Sequence, residues 1–422
     1  MIKDCVAPAI AVRYHKMQFM RVTRRELLQS AASGAGLALL GGDLRRPALA
    51  QARPRKGARE MTEPTAYFAY VGCRTTKERN ARGEGINVYR GSGTTGEWTH
   101  LQLISGLANP SYLAFDRGRR FLYAVHGDLT DISSFSIDPI TGKLTCLNSV
   151  STFGKNPVYL TIDPTNRWVI VANHLSSSVV VLKRNPDGTL GGGLVDEAKL
   201  SGRLGPHRIE QPFSKPHQVV YDRSERFLIV PDKGVDQVFT FTLDSDTGKL
   251  TQVAAGTPRA RDGSGPRHVA FHPSNAFAYV LGELDSTVTA HRFDQATGRL
   301  TPFQLVTTLP DTFVGDSRAS EIDVSHDGRF LYASNRGHDS VVTFTVDSNS
   351  GRLTPVGWTD AQGKTPRFFA LDPAGRFLFV ADEDSDRIVP FETATADGRL
   401  LPKGDPIVTG SPVCIVFNGN LP

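Results

Sequence analysis

One phrase recurs through the chain: Pro-x-x-apolar-x-apolar, an Asp-Pro or Asp-Gly turn, then an aromatic-led run. Its copies start at Pro110, Pro157, Pro216, Pro266, Ala319, Pro366 and Pro412, in steps of 47, 59, 50, 53, 47 and 46 residues. A period of this size makes each copy one supersecondary unit, which can bury its apolar face only against its neighbours. The copy "PRFFALDPAGRFLFVADEDSDRIVPFETATADGRLLP" from Pro366 reads as four antiparallel strands separated by polar turns. The turn before the last strand appears as "TTGEW", "ITGKL", "PDGTL", "DTGKL", "ATGRL", "NSGRL" and "ADGRL". Its glycine supplies the positive backbone dihedral that a tight hairpin needs.

Repeated four-stranded units predict an all-β, seven-bladed β-propeller. Six blades are complete, and the seventh is shared: "SPVCIVFNGN" supplies its innermost strand, and three strands between Tyr67 and Leu103 supply the rest. Joining the two ends in one sheet removes an open edge. Residues 64–422 are therefore expected to form one domain, preceded by a polar linker at 51–63. No apolar helical period persists for three turns. The segment "DEAKLSGRL" near Asp196 reads as an insertion in blade two.

The net charge of +5 invites a nucleic-acid reading, but eight of the 48 Lys/Arg and three of the 43 Asp/Glu fall in residues 1–50, leaving forty of each sign. No basic cluster follows Lys56, so nucleic-acid binding is disfavoured. The leader explains the excess. "VTRRELLQS" precedes the apolar, small-residue stretch "AASGAGLALLGG", and "ALA" follows at 48–50. This layout predicts a twin-arginine export signal over residues 1–50, handed to the Tat machinery, with an apolar stretch too short to span a bilayer. The mature protein is then periplasmic or secreted, or cytoplasmic if the leader is unused. Met20 offers an alternative start just before the signal. Cys73, Cys146 and Cys414 match no zinc-site spacing and no disulfide framework. Cys73 and Cys414 share the seventh blade, about three residues out of step.

Fold alone assigns no chemistry, so the informative positions are those that break the repeat. The start of a blade's first strand and the end of its second lie on one face of the disc, beside the central channel. The two residues after each start read Ser111-Tyr112, Val158-Tyr159, His217-Gln218, Arg267-His268, Ser320-Glu321, Arg367-Phe368 and Val413-Cys414. The second-strand exits read His126-Gly127, Asn173-His174, Asp232-Lys233, Gly282-Glu283, Asn335-Arg336, Asp382-Glu383 and Gly72-Cys73. Titratable groups gather in blades three to five: His217, Arg267, His268, Glu283, Glu321 and Arg336. Either Arg267 merely seals the channel against Glu283 or Glu321, or the set forms a concave site for an oxygen-rich anion.

The segments "KPHQVV", "GPRHVAFHP", "AYVLGELDSTV", "EIDVSHDGRFLYASNRGHDSV" and "TPRFFALDPAGRFLFVAD" resemble the lactonase family of seven-bladed propellers, which includes one type of 6-phosphogluconolactonase and the carboxymuconate cyclases. The similarity spans residues 66 to 417. It implies a catalytic set of His217, Arg267, Glu283 and Arg336, with no metal and no cofactor. Gly282 replaces a common asparagine, and Phe368 a common polar residue. The expected activity is hydrolysis of a sugar-type lactone, with Glu283 or His217 activating water and His268, Glu321 and Gln218 contacting the substrate. A carboxymuconate cyclase-like cycloisomerase and a non-catalytic binding propeller are the alternatives. His268 is expected to back Glu283. His126 and His174 are a poor metal pair. Asp382, Glu383, Asp384 and Asp386 read as a solvated turn. No serine-hydrolase elbow, phosphate loop or dinucleotide fingerprint is present, and a closed ring suits a monomer.

Overall fold

The computed structural model describes residues 66–253 and 259–419. The expected export signal and linker lie outside the described residues. Seven antiparallel sheets follow one another along the chain. The last is composite: Pro412–Asn418 pairs with Ala66–Cys73, which continues into Gly85–Ser92 and Trp98–Ser105. The expected all-β propeller with an end-to-end seventh blade is the observed architecture.

The repeat's chemistry explains both the turns and the ring. In the first turn the aspartate carboxylate caps the returning strand: Asp116 accepts from the backbone N–H groups of Arg120 and Phe121, and Asp372 from those of Arg376 and Phe377. In the last hairpin, Gly142 has φ 69° and Gly188 φ 88°. A methyl group on Gly142 would sit 2.5 Å from the Phe68 ring, and one on Gly188 2.1 Å from Phe121. The hairpin glycine thus lies flat on the aromatic residue that opens the second strand of the preceding blade. This contact occurs seven times: Gly248 on Trp168, Gly298 on Phe227, Gly351 on Phe277, Gly398 on Phe330 and Gly96 on Phe377 complete it. The last step joins blade seven to blade six and closes the circle. Between blades the apolar faces merge, as where Tyr279, Leu281 and Val288 of blade four meet Ile322, Leu331 and Val342 of blade five. Each fully buried large side chain contributes roughly 1.5–3 kcal/mol.

Three details differ from expectation. Asp196 to Lys199 belongs to the fourth strand of blade two, Leu190–Lys199, whose pattern is hidden by three glycines, and the insertion occupies 200–215. Blade six carries a fifth strand, Ile407–Val408. In blade seven a bulge at Gly72/Cys73 sets Pro412 opposite Cys73 and Cys414 opposite Gly72. The two cysteines are offset by less than three positions, and both are buried free thiols.

Candidate functional site

At six of the seven blades the first residue of the inner strand faces the last residue of the second strand: Pro110 faces His126, Pro157 Asn173, Pro266 Gly282, Pro366 Asp382 and Pro412 Cys73, while in blade five the pairing runs one residue further, with Arg318 facing Arg336 beyond the repeat pair Ala319–Asn335. In blade three an isolated bridge joins Pro216 to Asp232. The register then slips after the proline, leaving Ser111, Val158, Arg267 and Arg367 in bulges. A bulge re-aims its side chain out of the alternation between the two sheet faces. The residue after the exit is held by one backbone bond to the residue just before its own blade's inner strand. The N–H groups of His174, Lys233, Glu283 and Glu383 donate to Asn156, Lys215, Gly265 and Thr365, and that of Arg74 to Ser411. The seventh exit is therefore Cys73-Arg74, not Gly72-Cys73. The sequence reading missed Arg74 because the bulge advances that strand by one residue.

Glu283 is the hub of the site. Its Oε1 lies 2.8 Å from Lys233 Nζ and 3.9 Å from Arg318. Its Oε2 lies 3.2 Å from Arg267 Nε and 3.5 Å from the Arg336 guanidinium. Glu210, from the blade-two insertion, shares two of these cations, at 2.9 Å from Lys233 and 2.7 Å from Arg318. Burial alone would raise the Glu283 carboxyl, but Lys233, Arg336 and Arg267 hold it well below the carboxylate range. Such a carboxylate is a weak proton acceptor and a strong organiser of charge.

His217 stands differently. It is buried, its ring edge-on to His174 and His268 at 5.1 and 5.2 Å between centroids, and its Nδ1 has no hydrogen-bond partner. Burial, reinforced by Arg267, His174 and His268, drives its pKa well below 6.5, so the ring is neutral at pH 7. Arg267 is pulled to about 9 by burial and by Arg336, and stays cationic. One of its terminal nitrogens donates to the Ser320 carbonyl, and Arg336 donates to that of Ala319 at 3.1 Å. The Nε–H groups of Arg267 and Arg336 are buried without a hydrogen bond. Two fixed guanidinium groups beside a neutral imidazole can stabilise an oxyanion while a proton is taken from water.

The structure gathers His217, Arg267, Glu283 and Arg336 as expected, and adds Lys233, Arg318 and Glu210. Lys233 was visible at an exit position; Arg318 and Glu210 sit outside the repeat phrase, where no periodicity marks them. His268 is not Glu283's support: its Nδ1–H donates to Glu321 Oε1 at 2.8 Å, and its Nε2 lies 3.3 Å from Arg267. Glu321 Oε2 is buried and unpartnered. Gln218 has both ends of its amide engaged, accepting from Val269 N at 2.6 Å and donating to Tyr159 Oη at 3.2 Å. The floor is aromatic, with Tyr112 stacked on Tyr159 at 3.8 Å and Phe368 edge-on to Tyr112 at 6.4 Å. His126 is spent on Ala108 and Ser133, and His174 donates to the Pro216 carbonyl. Among the described residues no group of three or more His, Cys, Asp or Glu side chains is placed to hold a metal ion. The acidic turn after blade six's second strand is not simply solvated: Asp382 is fully buried, and Glu383 faces Arg74 and Arg367 at 3.6 and 3.7 Å.

Comparison with known proteins gives the same answer as the geometry of the ring. Residues 68–417 match the family described as Lactonase, 7-bladed beta-propeller. A 6-phosphogluconolactonase of Bacillus subtilis is 34% identical over 312 residues, 73% of this chain and 86% of that protein. One from Formosa agariphila is 30% identical over 316 residues, covering 72% and 86%. The solved structure of the periplasmic gluconolactonase of Pseudomonas aeruginosa superimposes with a TM-score of 0.78 at 32% identity, covering 85% of this chain and all of that one. This chain belongs to the lactonase family of seven-bladed β-propellers.

Proposed function

We propose that the protein hydrolyses a sugar-type lactone at the channel mouth, with His217 as the base and Arg267 and Arg336 as oxyanion donors. The observation that carries the reading is the contrast between His217 and Glu283. The imidazole is neutral with a bare ring nitrogen, whereas the carboxylate is bound on both oxygens by cations. His217 takes a proton from water as the water oxygen bonds to the lactone carbonyl carbon. Arg267 and Arg336 take the charge that develops on the carbonyl oxygen. The ring C–O bond then breaks, and the imidazolium returns its proton to the leaving alkoxide, giving the open hydroxy acid. Glu283 keeps both arginines in place, and His268, locked by Glu321, supports Arg267 from the opposite side.

The names of the similar proteins support lactone hydrolysis as the reaction class. The twin-arginine leader supports export, and with it an unphosphorylated aldonolactone or another cyclic ester as substrate. No helix among the described residues is long and apolar enough to cross a membrane. The test is a panel of aldonolactones followed by acid release in a pH-stat on the processed protein. Saturable hydrolysis above the spontaneous rate supports the reading; a flat response across the panel, or turnover only of muconolactones by ultraviolet absorbance, overturns it.

A further inference from the structure

Opening a lactone makes a carboxylic acid, and at neutral pH that acid sheds a proton. His217 does not carry it away, because the proton it takes from water goes back to the alkoxide. The mouth is a poor exit. Arg267, Glu283 and Arg336 form one arginine–glutamate–arginine triad there. Arg367, Glu383 and Arg74 form a second with the same sixteen-residue spacing, the last arginine of each coming from the following blade. Lys233 and Arg318 add two further positive charges. A proton released among these cations is repelled, and Glu283, held well below the carboxylate range, does not take it up.

Below the mouth the repeat is broken again, in blade five. The fourth residue of every repeat phrase is buried in the core, as Leu113 and Ile322 are. The fifth is small and uncharged in six blades: Ala114, Thr161, Val220, Ala270, Ala370 and Val416. All of these but Ala270 are half-buried although they stand on the innermost strand, so open space runs along the axis beside them. In blade five the fifth residue is Asp323, also half-buried. It accepts from Val324 N at 2.8 Å, and the charges acting on it are Arg223 from blade three, His326 from its own blade, and Glu321. Burial pushes its carboxyl up to about 6, where a carboxyl exchanges protons readily near neutral pH.

Glu321 links this level to the site. It stands two residues before Asp323 on the same strand, about 6–7 Å away along the chain, a gap one water bridges. His268 Nδ1 fixes its Oε1 at 2.8 Å, while Oε2 is buried and unpartnered. The Glu321 charge acts on Tyr112, Tyr159 and Cys414, which belong to blades one, two and seven, so the carboxylate looks across the axis. It also acts on Arg267, which receives the carbonyl oxygen in the proposed reaction.

We infer that Glu321 and Asp323 form a proton exit that runs down the central channel, away from the mouth. The inference rests on the lactonase reading and adds a route to it. The new acid, held at Arg267, gives its O–H proton through water to Glu321 Oε2. Glu321 passes a proton through water to Asp323, and Asp323 releases it to bulk solvent at the opposite face. The product leaves as a carboxylate through the cationic mouth, one proton appears in solution, and both side chains return to their ionised state.

Alanine stands at the Asp323 position in blades one, four and six, so Asp323→Ala suits the fold. The measurement is kcat at neutral pH, from lactone consumption by NMR, in weak buffer and with added imidazole. Wild type is expected to be indifferent to imidazole. Asp323→Ala falls about tenfold in weak buffer, less than the loss of a group that moves protons at the reacting centre, because water still conducts. Imidazole restores most of that loss by taking the proton at the mouth, KM is unchanged, and Asp323→Glu needs no imidazole. Should Asp323→Ala melt below wild type, Asp323→Asn fills the same space without a proton to pass and is expected to respond alike. Wild-type kcat in weak buffer for the folded variant, or a loss that imidazole does not restore, overturns the exit and leaves hydrolysis standing. A wild type that consumes no lactone overturns the hydrolase reading and the exit with it.

Discussion

The two arginine–glutamate–arginine triads share spacing, strand positions and cross-blade closure, yet they are set in different surroundings. Around Glu283 stand two further cations, Lys233 and Arg318, a second carboxylate from an insertion, and the row His174, His217, His268. Around Glu383 stand the Arg74–Asp128 pair, Arg82 donating to the Glu383 carbonyl at 3.1 Å, and the small residues Ser111 and Gly127 beside Arg74. Repetition of a blade duplicates charge at no cost in new architecture; what differs is the proton-handling group beside it. That difference is what the proposed mechanism turns on: it puts the reaction at the triad with an unbonded neutral imidazole and leaves the other triad as charge alone.

The comparison is broken most severely by removing the group that differs. His217→Gln is expected to lower kcat for lactone hydrolysis by about 10²–10⁴-fold, the range for a lost general base, as measured by pH-stat. Equal losses in His217→Gln and Arg367→Gln on a neutral lactone would remove the distinction between the triads. Next, Arg267→Ala removes an aligned oxyanion donor and is expected to cost roughly 3–4 kcal/mol, a hundredfold or more in kcat.

A smaller effect sharpens the electrostatics. Lys233→Met deletes the leading cation on Glu283, so the carboxyl titrates closer to its ordinary range. Because a Glu283 that gains a proton releases Arg267 and Arg336, activity in this variant should fall on the acid side at a higher pH than in wild type, with kcat/KM down about tenfold at neutral pH. In wild type, His217 is unprotonated from neutral pH down past 6.5, so the pH–rate profile is flat there and drops only further into acid. A wild-type profile with its midpoint at or above 7 contradicts this assignment of the base.

Much of this was legible before any coordinates. The repeat phrase located every inner strand and its hairpin, and the breaks in the phrase marked His217, Arg267, Glu283 and Arg336. Arg74 was hidden by a one-residue bulge, a feature of hydrogen-bond register that leaves no compositional trace. Glu210 was hidden because an insertion outside the repeat carries no period, and Arg318 because it opens the blade-five inner strand one residue ahead of the repeat phrase. His268 was visible, but its partner was misassigned: Glu321 is 53 positions away on the adjoining blade, and only the lateral packing of blades four and five brings the two together. Position along one strand predicts which side chains share a rim; which neighbours they touch depends on the twist between blades.

The least effect concerns the exit residue that precedes Glu383. Asn173 and Asn335, at the same position in blades two and five, donate to the carbonyls of Thr152 and Thr308. Asp382 lies against Gly363 with both oxygens buried and unpartnered, and burial, aided by Asp339, pushes its pKa up to about 8. The folded acid therefore holds a proton that the unfolded chain, near its ordinary 3.8, releases, so stability declines as pH rises from about 4 to about 8. Asp382→Asn should flatten that decline and raise the melting temperature at pH 8, by about 1–2 °C per kcal/mol gained in a domain of this size. Identical pH dependence of melting in both proteins would show that the carboxyl is ionised in the fold.

The most direct test of the central claim is a double-mutant cycle on kcat with His217→Gln, Arg267→Ala and the combination, using the lactone that wild type turns over fastest. If the two side chains serve one reacting centre, the double variant is about as slow as the slower single variant, because the second change has nothing left to remove. If the two losses multiply in full, or if Arg267→Ala turns over within about twofold of wild type where an oxyanion donor is worth a hundredfold, the pocket at blades three to five is not where the lactone opens.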